Sequence, residues 1–129
     1  MRYSLLMALH SETGPDDLLP LSPQTFHILV ALAAGDRHGY AIMRDVAERS
    51  GGKLRLSPGT LYGCVKRMLE QGLIVELNSG ERPDGPGGDE RRRHYRLTAF
   101  GRKVARAEAA RLAETLEQAR AFGLAPRRA

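Results

Sequence analysis

The stretch SPGTLYGCVKRMLEQG, residues 57–72, leaves the chain least freedom in what it can fold into. Ser57 is a natural N-cap, Pro58 stands where a first helical residue needs no N–H, and Gly72 supplies a stop. Between them Leu61, Val65, Met68 and Leu69 fall at i, i+4, i+7 and i+8, a single apolar stripe that has to face a core. The opposite side then carries Gly59, Tyr62, Gly63 and Lys66, flanked by Thr60 and Arg67. Such a helix is rooted by its back and presents its front.

Two helices precede it. LSPQTFHILVALAAG begins with Ser22 as N-cap and Pro23 at the first helical position; Phe26, Leu29, Val30 and Ala33 recur at helical spacing and Gly35 ends the run. RHGYAIMRDVAERSGG follows after a short turn, with Ile42, Met43 and Val46 on one stripe, Arg44, Asp45 and Glu48 away from it, and Gly51-Gly52 as terminator. After residue 72 the period changes. LIVELN and RRRHYRLT have strand character, the second alternating Arg93, Tyr95, Leu97 with Arg92, His94, Arg96, and NSGERPDGPGGDE lies between them as a long tip. A two-stranded hairpin is expected, with Tyr95 and Leu97 packing it on the helices.

Thr98 then caps a last helix from about Ala99 to Phe122. Within it Ala105, Ala109, Leu112, Leu116 and Ala119 repeat at 4, 3, 4, 3, the spacing of a helix that pairs with another helix. Three helices, a hairpin and a long helix make an α+β chain, mainly α with a small β-hairpin: a winged helix-turn-helix with an appended helix. The expected divisions are an N-terminal extension at 1–21, mobile or partly helical, the winged domain at 22–98, the dimerisation helix at 99–122 and a basic tail at 123–129.

The front of the third helix has the make of a major-groove reader, with a stackable ring and a donor at i and i+4 in Tyr62 and Lys66. Gly63 beside them costs helix stability. Either the backbone of DNA approaches there or a neighbouring helix packs close, and the sequence leaves both open. The helix N-terminus, with the hydroxyls of Ser57 and Thr60, suits a phosphate, although Ser57 can equally spend its oxygen on capping. Lys66 and Arg67, taken alone, could simply solvate a surface. The wing weighs against that, because Arg91, Arg92 and Arg93 in a row repel one another unless a polyanion lies nearby.

The charge distribution agrees. The 129 residues hold 20 Lys+Arg against 15 Asp+Glu, net +5, but residues 91–129 alone carry +8 while residues 1–90 carry −3. To the basic last third is added a local cluster at Lys53, Arg55, Lys66 and Arg67. A hydrophobic share of 42% is enough for one modest core. The single cysteine, Cys64, excludes an internal disulfide and fits a reducing cytoplasm. It falls on the apolar side of its helix, where a buried thiol is expected rather than a redox or metal switch. No stretch approaches the roughly 18–20 apolar residues of a membrane span. Catalysis is not expected either: there is no G-x-S-x-G, no metal-spaced Cys/His set, and GPGGDE lacks the Gly-Lys-Ser/Thr of a phosphate loop. No cofactor or metal is implied.

HGYAI, RLSPGTLYGCVKRMLEQGLI and DERRRHYRLTAFGR resemble, in order and spacing, the signature segments of the PadR family of bacterial transcriptional regulators. The resemblance covers about residues 22–121. It implies a dimeric winged-helix repressor in which the C-terminal helix supplies most of the dimer contact. It also implies DNA contacts at Tyr40, at Ser57, Pro58, Gly59, Thr60, Tyr62 and Lys66, and along the wing from Arg91 to His94. The chain departs from the pattern in three ways. Ala41 stands where an acidic residue is common, and the extension before Ser22 is longer than the family minimum, so its apolar residues are placed to add to the dimer contact. The third departure is that no Trp is present; some relatives hold flat hydrophobic compounds between tryptophans at the dimer centre, a mode not expected here.

The reading is therefore a cytoplasmic, sequence-specific regulator whose partners are double-stranded DNA, a second copy of itself and an effector of unknown identity. Its DNA site comprises Tyr40, Lys53, Ser57, Pro58, Gly59, Thr60, Tyr62, Gly63, Lys66, Arg67, Arg91, Arg92, Arg93 and His94. The alternative is a non-specific architectural DNA binder or a winged-helix module for protein contacts.

Overall fold

The structure, a computed structural model, describes residues 13–78 and 93–126. A 3-10 turn at Pro15–Leu18 leads into α1 (Pro23–Ala33), then β1 (Arg37–His38), α2 (Gly39–Arg49), α3 (Pro58–Glu70), β2 (Ile74–Glu76), β3 (His94–Leu97) and α4 (Ala99–Ala121). Each helix is started by a local cap. Ser22 Oγ accepts the N–H of Thr25 at 3.1 Å, Ser57 Oγ that of Thr60 at 3.1 Å, and Thr98 Oγ1 that of Gly101 at 2.9 Å. His38 does the same for α2 through Nδ1, which accepts from Ala41 at 3.2 Å. Gly72, at φ +76°, follows the end of α3 in a left-handed conformation that glycine adopts without strain.

The core forms where the helices meet the sheet. Ile42 and Val46 of α2, and Leu61, Cys64, Val65 and Met68 of α3, are all buried, as the stripe of α3 requires. Leu73, Ile74, Tyr95 and Val104 close it from the wing and α4. On α1 the buried set is Ile28, Leu29, Ala31 and Leu32 rather than the expected Phe26, Leu29, Val30 and Ala33. The sequence of α1 is apolar nearly all round, so its own period does not single out a face; α2, α3, β3 and α4, which pack around it, do.

The expected hairpin stands as β2 and β3, and a strand that was not expected joins it. The sheet has three antiparallel strands in the order β1-β3-β2. Arg37 and His38, read as the opening of the second helical segment, pair with Tyr95 and His94, while Ile74, Val75 and Glu76 pair with Leu97, Arg96 and Tyr95. Two residues are too few to show a period, and what commits them is remote in sequence. Arg96 reaches across to Asp36, with its Nη2 2.9 Å from the carboxylate, fixing the approach to β1. This makes a winged helix-turn-helix: α2 and α3 form the helix pair, β2 and β3 the wing.

The first turn of α4 presses onto the end of α3. Thr98 Oγ1 donates to the carbonyls of Gly72 and Leu73, and the Thr98 N–H donates to Leu73 O at 3.1 Å. Gly101 is required there, because a Cβ would lie 2.9 Å from the Leu73 carbonyl carbon and closer still to its oxygen. One turn after Val104, Glu108 is covered to 2% exposure by a thin layer. Arg111 closes over it, with Nε and Nη2 each 2.8 Å from a carboxylate oxygen, and the Leu21 backbone supplies a further hydrogen bond. Glu108 thus staples the segment before α1 to α4. The Arg111 hydrogen bonds hold its carboxyl below the usual carboxylate range, against the opposing effect of burial.

Because the native pKa is depressed, the carboxylate stabilises the fold above its ordinary titration range, and this contribution disappears as the pH falls through the native value. Glu108→Gln should lower the free energy of unfolding by about 1 kcal/mol at neutral pH, the charged hydrogen bonds being weakened by the exposure of Arg111 to solvent. In urea titrations the gap from the parent protein should close as the pH is lowered past the carboxylate range.

Candidate nucleic-acid interface

With its apolar stripe buried, α3 turns Tyr62, Lys66 and Arg67 outward; Tyr62 is 47% exposed. At its start Ser57 is spent on the cap, its oxygen accepting from the Thr60 N–H and its hydroxyl meeting Thr60 Oγ1 at 3.1 Å. Pro58 has no N–H to offer. That leaves the backbone of Gly59 and the hydroxyl of Thr60 as the groups an anion could meet at this end, and both residues are exposed. Lys53, in the turn between α2 and α3, is exposed as well.

The structure bears on one of the two reasons for Gly63. A Cβ built on it meets nothing within 4 Å, so no neighbouring helix explains the glycine, and the packing alternative is removed. Gly59 is equally open. The second turn of α3 thus bears a bare patch of backbone between Tyr62 and Lys66, facing outward.

Tyr40, at the start of α2, is 61% exposed. Its ring stacks on His38 with centroids 6.4 Å apart and planes within 13°, and the Arg44 guanidinium lies 5.9 Å from its centroid. Arg44 was not among the expected site residues. Its only signal was its position four residues after Tyr40, which places both on one face of α2. The cation-π contact holds the ring while leaving the guanidinium at the surface.

The wing divides differently from the expectation. Arg93 is exposed and only loosely paired, 3.9 Å from Glu76. Arg91 and Arg92 lie outside the described residues. His94, expected on the DNA side, is corrected: it is 4% exposed and meets His38 edge-on at 5.3 Å. The reason is β1, which pairs His38 with His94 and covers the side of β3 that a two-stranded hairpin would have left open. Tyr95 is 2% exposed and points inward as expected. Burial, reinforced by Glu76 and Tyr62, pushes its pKa up to about 12, so it remains a neutral phenol under the wing.

Of the pairing stripe on α4, Ala105 packs against the core, Ala109 is exposed, and Leu112 and Leu116 are 42% and 40% exposed, with Ala119 half-buried. Phe122 and Leu124 beyond them are also open. From Ala109 to Gln118 every residue of α4 is exposed, so the second half of this helix leaves the core. Among the described residues no group of His, Cys, Asp and Glu could hold a metal ion, and no helix is long and apolar enough to cross a membrane.

Known proteins share this arrangement. The model of the transcriptional regulator PadR-like family matches residues 28–107. An uncharacterized protein X of Lysinibacillus sphaericus is 31% identical over 75 residues, which are 58% of this chain and 64% of that protein. An uncharacterized transposon-borne protein of Streptomyces fradiae is 38% identical over 82 residues, 64% of this chain and 21% of that one. The chain thus spans less than two thirds of the length of either relative. Among solved structures, a PadR family transcription regulator from Clostridium difficile superposes with a TM-score of 0.64 at 25% identity, covering 78% of this chain and 98% of its own.

Since nothing lies within reach of a side chain at position 63, Gly63→Ala should stabilise the free protein, by up to about 0.8–1.0 kcal/mol, as glycine leaves a helix interior. Urea unfolding of the two proteins checks this.

Proposed function

The chain belongs to the PadR-like family of transcriptional regulators, and on that premise we propose that it binds a specific DNA operator as a homodimer and represses transcription by occupying a promoter. The observation that carries this reading is the division of α3: Leu61, Val65 and Met68 are sealed in the core while Tyr62, Lys66 and the bare backbone at Gly63 face outward. A helix so fixed can enter a major groove without giving up any packing. Gly59, Thr60, Lys53, Arg67, Tyr40 and Arg44 surround it with donors for phosphates, and Arg93 extends them along the wing. Arg91 and Arg92 adjoin Arg93 in sequence and belong to the same proposal.

The free half of α4 supports the dimer. Leu112 and Leu116 present apolar surface left open by the described residues, at the spacing of a helix that packs on its like. Two α3 helices held by such a contact would meet successive major grooves of a pseudo-palindromic site, with half-sites about 10 bp apart. An effector, not identified by the sequence, would release DNA by favouring a dimer whose helix spacing no longer fits.

The experiment is selection of a duplex from a random pool, followed by gel shift against a scrambled duplex at two salt concentrations. Tyr62→Ala and Lys66→Ala should each weaken binding to the selected duplex by about tenfold, within the 1–3 kcal/mol range of a base contact, with the fold intact. Unchanged affinity in both removes α3 from the interface. Arg93→Ala should flatten the dependence of log K on log salt by about 0.9 for each phosphate that is no longer neutralised. Equal affinity for all duplexes would instead identify a non-specific architectural binder, and no affinity at all a protein-contact module.

Leu112→Asp with Leu116→Asp should give a monomer by light scattering. A variant that remains dimeric moves the interface elsewhere.

A further inference from the structure

The geometry points to Gly39 as a positioning residue for Tyr62: the missing side chain at the first residue of α2 forms the seat on which the phenol of α3 rests, and that seat sets where the ring is offered to DNA. The inference rests on the reading role proposed for α3.

Gly39 is buried, and two ordinary reasons for a glycine do not apply to it. Its φ is not positive, so its backbone conformation is open to any residue, and at the start of a helix alanine would be the better helix former. Space is the remaining reason. A Cβ at position 39 would lie 2.9 Å from Tyr62 Cζ, closer still to Tyr62 Oη, and 3.1 Å from Leu61 Cδ2.

These neighbours differ in what they can yield. Leu61 is fully buried and can move only slightly, whereas the Tyr62 phenol is the far end of a half-exposed side chain with solvent beside it. A methyl group at 39 is therefore accommodated mainly by the ring swinging away, and the fold survives while the reading group is re-aimed. The seat also ties three elements together. Gly39 adjoins His38, whose strand pairs with β3, and Tyr40, the other exposed ring of the surface; Tyr62 is in addition near enough to Tyr95 to raise its pKa. The seat thus lies where α2 follows directly on the strand that pairs with the wing.

The test is a double-mutant cycle on the full chain, with Gly39→Ala, Tyr62→Ala and both, using a duplex selected by the parent protein and its scrambled counterpart. Alongside it, 19F spectra of fluorotyrosine-labelled protein without DNA report the ring directly, the Tyr62 signal being assigned by Tyr62→Phe. Gly39→Ala should lose about tenfold on the selected duplex, an effect the size of one base contact, and little on the scrambled one. In the Tyr62→Ala background it should add less than about twofold, the limit for residues acting through one another rather than separately. The Tyr62 resonance should shift in Gly39→Ala.

An equal loss in both backgrounds, or an unmoved resonance, overturns the seat. If Gly39→Ala does not fold, recovery of folding in the double variant supports it, and failure of both places the constraint at Leu61 and overturns it. A parent protein that selects no duplex refutes the proposed function instead, and the 19F shift then decides the seat by itself.

Discussion

The structure depends on the joint between the end of α3 and the start of α4. Thr98 bonds through its hydroxyl to the carbonyls of Gly72 and Leu73 and through its N–H to Leu73, while capping its own helix at Gly101. Gly101 lets the two backbones touch. The carbonyls of the turn that follows α3 are thereby satisfied by the residue that caps the next helix. The helix that faces outward with Tyr62 and the helix that leaves the core with Leu112 are joined with little slack between them.

That joint explains how much else can remain open. α3 gives its apolar stripe to the core, including the Cys64 thiol, and leaves Tyr62, Lys66 and Arg67 of its other face exposed. The bare backbone at Gly63 belongs to that free face. On α4 the boundary falls at Glu108: up to it the helix is seated on the winged domain and stapled to the segment before α1, and beyond it the side chains stand in the open. The polar staple and the apolar stripe that follows occupy successive turns, so one element serves the interior first and the exterior afterwards.

Legibility in the sequence varied from element to element. The caps at Ser22, Ser57 and Thr98 and the buried stripe of α3 stand in the structure as the residues implied. Their causes lie within one or two turns of chain. The third strand was invisible, because Arg37 and His38 acquire strand character only by meeting Tyr95 and His94 more than fifty residues away. The misplacement of His94 has the same origin: alternation tells which residues share a face of a strand, but not that a further strand will pair along its edge and set His38 against His94. Of the residues on the proposed interface, Tyr62 and Lys66 could be found from the period of α3, whereas Arg44 is recognised through its contact with Tyr40.

By itself, the sequence determined which segments become helices, which side of α3 is buried and where basic charge accumulates, since these follow from spacing, capping and composition along a local stretch. Tertiary structure alone decided the face that α1 buries, the strand order, the burial of His94 and the need for an unsubstituted position at Gly39 under the Tyr62 ring. The physical reason is distance along the chain. An interaction between groups tens of residues apart leaves no period for either segment to display, and it acquires its energy only after the intervening chain has been folded into place.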